Sequence, residues 1–231
     1  MAKKSKAHRE MASKIEKREY APIEAFDLLK EIATAKFDES VEAHFRLGID
    51  TRKADQQLRG TVSLPNGSGK TVRVCVFAGG DAAEAARAAG ADYVGMADLI
   101  EKITKEGWCD FDVAIATVEA MKEVRKCARI LGPRGLMPNP KTGTVTDDTA
   151  TAVKEAKGGK VDFRMDKTGN LSVIAGKRSF TEEALVGNIA AIVAAVNAAK
   201  PANVKGVFLK SMSISSTMGV SCPVALASVA E

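Results

Sequence analysis

Histidine is nearly absent from this chain. Among 231 residues there are two, His8 and His44, and the four cysteines (Cys75, Cys109, Cys127, Cys222) are scattered with no C-x-x-C pair. A zinc site needs clustered ligands at short spacing, so no metal is expected. G-x-S-x-G is also missing, and neither histidine has the context of a catalytic base. No apolar run approaches the roughly 20 residues of a membrane helix. The basic N-terminus lacks the apolar core that follows in a signal peptide. A cytoplasmic protein with no membrane partner is expected.

The near-motifs fail on spacing. In GSGKT (67–71) the phosphate-loop pattern would require glycine at position 64, which is Leu64, and a helix afterwards, where a strand is expected. AGGDAAEA (78–85) follows a strand and opens a helix, but it lacks the G-x-G-x-x-G fingerprint. The pairs Asp147–Asp148 and Glu182–Glu183 sit at helix starts, where negative charge suits the helix dipole. No catalytic residue and no cofactor are expected. The competing hypothesis is a nucleotide-binding catalyst in the α/β segment.

What the sequence does contain is unevenly placed charge. The net charge is +5, and the first 18 residues hold seven basic side chains against two acidic ones. Residues 68–159 are balanced, with thirteen of each sign. A basic arm is a common nucleic-acid device.

Periodicity divides the chain. PIEAFDLLKEIA (22–33) has proline at a first helical position and apolar residues at helical spacing. In SVEAHFRLGID (40–50) Val41, Ala43, Phe45 and Leu47 alternate with Glu42, His44 and Arg46, the pattern of a strand with one wet face. LRGTVSL (58–64) is a second strand. Strands and helices then alternate from 68 to 159, including a helix over 118–131, which argues for a parallel sheet. After 160 come VDFRM (161–165) and LSVIA (171–175) around the DKTGN turn. A helix over 181–199 and the strand SMSISSTMG (211–219) complete the pattern. The reading is an α+β outer domain, residues 1–67 and 160–231, with helices on one face of a small, mainly antiparallel sheet. An α/β Rossmann-like domain of parallel strands, 68–159, is inserted between its halves.

Three features point to binding. Alternation along 211–219 puts Ser211, Ser213, Ser215 and Thr217 on one face, a row of small hydroxyls that can bond ribose and phosphate. Lys36 beside Phe37 offers a cation and a stacking ring. Lys122, Arg125, Lys126 and Arg129 share a helix face, and the loop GPRGLMPNPKTGTVT (132–146) after them carries Arg134 and Lys141.

That loop, with ARIL before it, closely resembles the signature of the bacterial ribosomal protein L-one family, found in the mobile lateral stalk of the large subunit. KPANVKGVFLKSMSISSTMG looks like the family's closing segment. FRMDKTGNL resembles its RNA-facing hairpin, and ATAKFDESVEAHFRLGID its first strand. The likeness runs from about residue 10 to 220 and departs at Met165, Ser172 and 220–223. It implies a non-enzymatic protein of the large ribosomal subunit that binds stalk ribosomal RNA, helps release deacylated tRNA from the exit site, and represses its own operon by binding its messenger RNA. It also implies RNA contacts at Lys36, Phe37, Arg164, Asp166, Ser211, Ser213, Ser215, Thr217, Met218 and Gly219, with a secondary contact at Arg134 and Lys141.

Overall fold

The computed structural model describes residues 5–53 and 56–226. In chain order these form helices α1 (Lys6–Ser13) and α2 (Pro22–Ile32), then strands β1 (Ser40–Leu47), β2 (Arg59–Ser63) and β3 (Val74–Phe77). Next come α3 (Gly80–Ala88), β4 (Tyr93–Gly95), α4 (Ala97–Glu106) and β5 (Val113–Ala116). Two short turns, α5 (Met121–Val124) and α6 (Ala128–Leu131), precede α7 (Thr149–Lys157) and β6 (Lys160–Arg164). The last elements are β7 (Asn170–Lys177), α8 (Glu182–Ala198), β8 (Leu209–Ser216) and β9 (Cys222–Val224).

The chain divides into two compact units, Met1–Gly69 with Val161–Glu231, and Lys70–Lys160. In the first, a four-stranded sheet runs β7-β1-β8-β9, and its neighbours pair antiparallel. β2 and β6 pair separately, so there are two sheets where the sequence suggested one. β1 is central, and its alternation sends Val41, Ala43, Phe45 and Leu47 inward. There they join Phe26 and Leu29 of α2 and Leu185, Ile189 and Ile192 of α8 in one core. Thr181 caps α8, its hydroxyl accepting from the Ala184 N–H at 3.3 Å.

Described residues of the basic arm form α1, and Met11 joins the core of this unit, an anchoring that a count of charges does not show. β9 went unrecognised because Pro223 interrupts a strand pattern. The strand lies at the sheet edge, where proline is tolerated, and the Pro223 carbonyl accepts from the Tyr20 N–H at 3.0 Å.

The second unit has a parallel sheet in the order β4-β3-β5. Side chains of β3 alternate between two cores. Val74 and Val76 meet Ala83 and Ala86 of α3 and Val153 of α7, while Cys75 and Phe77 meet Ile100, Ile103, Val124 and Leu131. Helices therefore cover both faces, as parallel strands require. Burial pushes the Cys75 thiol up to about 12. The expected helix over 118–131 is broken by a 3₁₀ turn, Arg125–Cys127. This tightening turns Cys127 inward, where its Sγ lies 3.4 Å from the Thr104 hydroxyl.

Candidate nucleic-acid interface

The outward face of the four-stranded sheet is built in rungs. Strand register aligns Asn170, Arg46 and Ser211 across β7, β1 and β8; then Ser172, His44 and Ser213; then Ile174, Glu42 and Ser215. Each strand contributes every second residue, the inward set being buried and this set exposed or half-buried. At the centre, His44 is held from both sides. Its Nδ1 lies 2.9 Å from the Ser172 hydroxyl and its Nε2 2.8 Å from the Ser215 hydroxyl. A neutral imidazole donates through one nitrogen and accepts through the other, so the three side chains form a polar strip across the sheet. Glu42 and Arg46 carry opposite charges on this face, which is polar without being strongly cationic.

β8 ends at Ser216, one residue before the alternation in the sequence would carry Thr217 onto the hydroxyl face. A turn replaces it. The Thr217 N–H donates to the Ser40 carbonyl at 3.1 Å, and the Gly219 N–H donates to the Ser216 carbonyl at 3.1 Å. The Ser40 N–H donates to the Thr217 hydroxyl at 3.0 Å, so this side chain takes the place of a ladder acceptor. The turn leaves Met218 61% exposed. A Cβ on Gly219 would stand 2.3 Å from the Ser216 hydroxyl, so a side chain there would force that hydroxyl to turn away. Thr217→Val is therefore expected to lower stability by about 1 kcal/mol, the net value of a hydrogen bond, which a urea titration would detect. An unchanged midpoint would show that the hydroxyl bridge contributes nothing.

Phe37 lies in the segment leading into β1 and is 52% exposed. The residues around it are committed: the Asp38 carboxylate accepts from the Ser179 N–H and hydroxyl at 3.1 and 2.8 Å. Lys36 is exposed. Lys36, Phe37, Thr217, Met218 and Gly219 thus belong to the Ser40 end of β1. Arg164, Asp166 and Ser211 belong to the Arg46 end, about 20 Å away at 3.4 Å per residue. Arg164 ends β6 and is exposed.

Asp166 acts within the protein. Its carboxylate accepts from the N–H groups of Thr168 and Asn170, both at 2.8 Å, and from the Thr168 hydroxyl at 2.7 Å. The Asn170 N–H, then the Thr168 hydroxyl, lower its pKa to about 2. A depressed carboxylate stabilises the fold above its ordinary titration range and loses that effect as pH falls toward 2. The turn is therefore fully held at neutral pH.

The second unit presents an exposed basic surface on Lys122, Arg125, Lys126, Arg129, Arg134 and Lys141. The 132–146 loop is fixed by Asn139. Its Oδ1 accepts from the Lys141 N–H at 2.8 Å, and its N–H donates to the Thr144 hydroxyl at 2.8 Å. Thr146 then bonds back to Ala116 beside β5. The crevice at the carboxyl ends of β3 and β5, where an open α/β sheet takes a nucleotide, is lined by Gly79, Met96 and Thr117 together with Glu119 and Asp147. Two carboxylates there oppose a phosphate. Among the described residues, no group of three or more His, Cys, Asp or Glu could hold a metal ion.

His44, Ser172, Asn170 and Ile174 belong to the face although sequence reasoning did not nominate them as contacts. Alternation over 40–50 placed His44 on the wet side, and only strand register shows that it bridges two hydroxyls.

The chain matches the profile of the Ribosomal protein L1p/L10e family over residues 29–220. It is 56% identical over 220 residues to the large ribosomal subunit protein uL1 of Corynebacterium efficiens, covering 95% of this chain and 93% of that protein. Its identity to the uL1 proteins of Mycobacteroides abscessus and Thermosipho melanesiensis is also 56% over 220 residues, with 95% of this chain covered and 93% and 95% of those proteins.

Proposed function

Since the chain belongs to the Ribosomal protein L1p/L10e family, whose members are structural rather than enzymatic, we propose that its antiparallel face binds large-subunit ribosomal RNA in the lateral stalk. The observation that carries this reading is the rung pattern of Ser211, Ser213, Ser215, Ser172 and His44, with exposed Phe37 and Met218 at one end. Short donors on a rigid sheet suit ribose and phosphate oxygens in a folded RNA, and the two apolar side chains suit base faces. The unit formed by both chain ends is the RNA-binding domain in this reading, and the inserted α/β unit offers Arg134 and Lys141 as a secondary RNA contact. Assisting release of deacylated tRNA from the exit site belongs to the same proposal. So does repression of its own operon, with the messenger RNA occupying the same face and competing with the stalk. The protein then acts in the cytoplasm, on the ribosome.

Binding to a stalk fragment and to an unrelated hairpin of equal length, across a salt series, tests the proposal. The stalk preference is expected to survive high salt, because few released counterions accompany a face whose rung charges, Glu42 and Arg46, are of opposite sign. Equal binding to both RNAs that collapses with salt would overturn it.

A further inference from the structure

Glu39 is a carboxylate with only 1% of its surface exposed, directly before the central strand. Buried carboxylates occur where they are paired. One oxygen, Oε1, accepts from the Met218 N–H at 3.1 Å. The other lies 3.6 Å from Nη1 of Arg178, whose own N–H donates to the Glu39 carbonyl at 2.9 Å. Oε2 makes no hydrogen bond within the described structure. The carboxylate thus joins two segments 179 residues apart in sequence. Its backbone follows Phe37 by two residues, and its side chain holds the backbone of Met218. Phe37 and Met218 are large apolar side chains left exposed at this end of the sheet, well above Ile174 in the neighbouring rung.

We propose that Glu39 is a positioning residue for RNA recognition. Its buried carboxylate clamps the Met218 backbone to the segment carrying Phe37 and so fixes the spacing of the two exposed side chains. Glu39 touches no RNA in this scheme. The inference rests on the reading of this face as the RNA-binding surface. A charged acceptor strengthens the bond to an N–H, and burial shields it from water and salt. The spacing is therefore set before RNA arrives, and less ordering remains to be done on binding.

The test uses the full chain, a stalk RNA fragment, an unrelated hairpin, and amide hydrogen exchange at Met218. Glu39→Ala is expected to speed Met218 exchange and weaken stalk binding, each about tenfold, with hairpin binding unchanged. Glu39→Gln keeps an oxygen that can accept the Met218 N–H, and should bring both within about threefold of the parent. Stalk affinity unchanged in Glu39→Ala, a loss shared equally by the hairpin, or failure of glutamine to restore exchange would each overturn the inference. Should Glu39→Ala not fold, an ester in place of the Met218 amide removes the same bond from the other side. It is expected to weaken stalk binding about fivefold, and unchanged binding would overturn the proposal. Ser213→Glu, distant from Glu39, separates the two ideas. If it abolishes stalk binding while Glu39→Ala does not, the clamp fails alone; if it too binds normally, the reading of the face fails.

Discussion

Asn188→Leu is expected to cost about 3 kcal/mol or more of stability, because buried hydrogen-bonding groups left without partners each cost roughly 1–3 kcal/mol. Asn188 is fully buried on α8, and every part of its amide is used. Its Oδ1 accepts from the Asn66 N–H at 3.0 Å, and its Nδ2 donates to the carbonyls of Gly67 and Ala175 at 3.0 and 2.7 Å. Leucine fills the volume but strands one donor and two acceptors. The sole tryptophan, Trp108, packs against Tyr93 and Phe111 in the Lys70–Lys160 unit. Its fluorescence therefore reports that unit, while circular dichroism reports both. With a urea slope near 2 kcal/mol/M, the outer unit's transition should move down by about 1.5 M, and the Trp108 transition should stay in place. Equal movement of both signals would show that the damage is not confined to the site of Asn188.

Ser213→Glu is expected to weaken stalk RNA binding about 100-fold, or about 2.7 kcal/mol. Ser213 lies half-exposed in the middle rung, beside His44 and between the two ends of the face. Glutamate there adds bulk and a negative charge where phosphate oxygens are proposed to lie. Folding should be nearly unaffected, since exposed substitutions usually stay within about 0.5 kcal/mol. Filter binding and thermal melts check the two halves. Affinity within twofold of the parent would remove the hydroxyl face from the recognition surface.

These residues differ in how legible they were. The alternation of 40–50 identified both faces of β1, and the hydroxyls of 211–215 emerged from spacing alone. Thr217 did not, because a run of small residues looks the same in a strand and in the turn that ends it. Glu39 carries no sign of burial in FDES, since its partners Arg178 and Met218 lie far along the chain. The basic loop stood out by composition. Its rigidity did not, because it comes from the Asn139 bonds to Lys141 and Thr144.

The placement of β1 between β7 and β8 has a consequence for biosynthesis. Residues 40–47 leave the ribosome early, yet both of their neighbours follow residue 169, and Val41 pairs with Ser216. The contiguous Lys70–Lys160 unit can close as soon as it emerges. The outer sheet must wait for β8, so β1 stays without either neighbour while the inserted unit folds, and the face proposed to bind RNA is complete only once β8 has emerged.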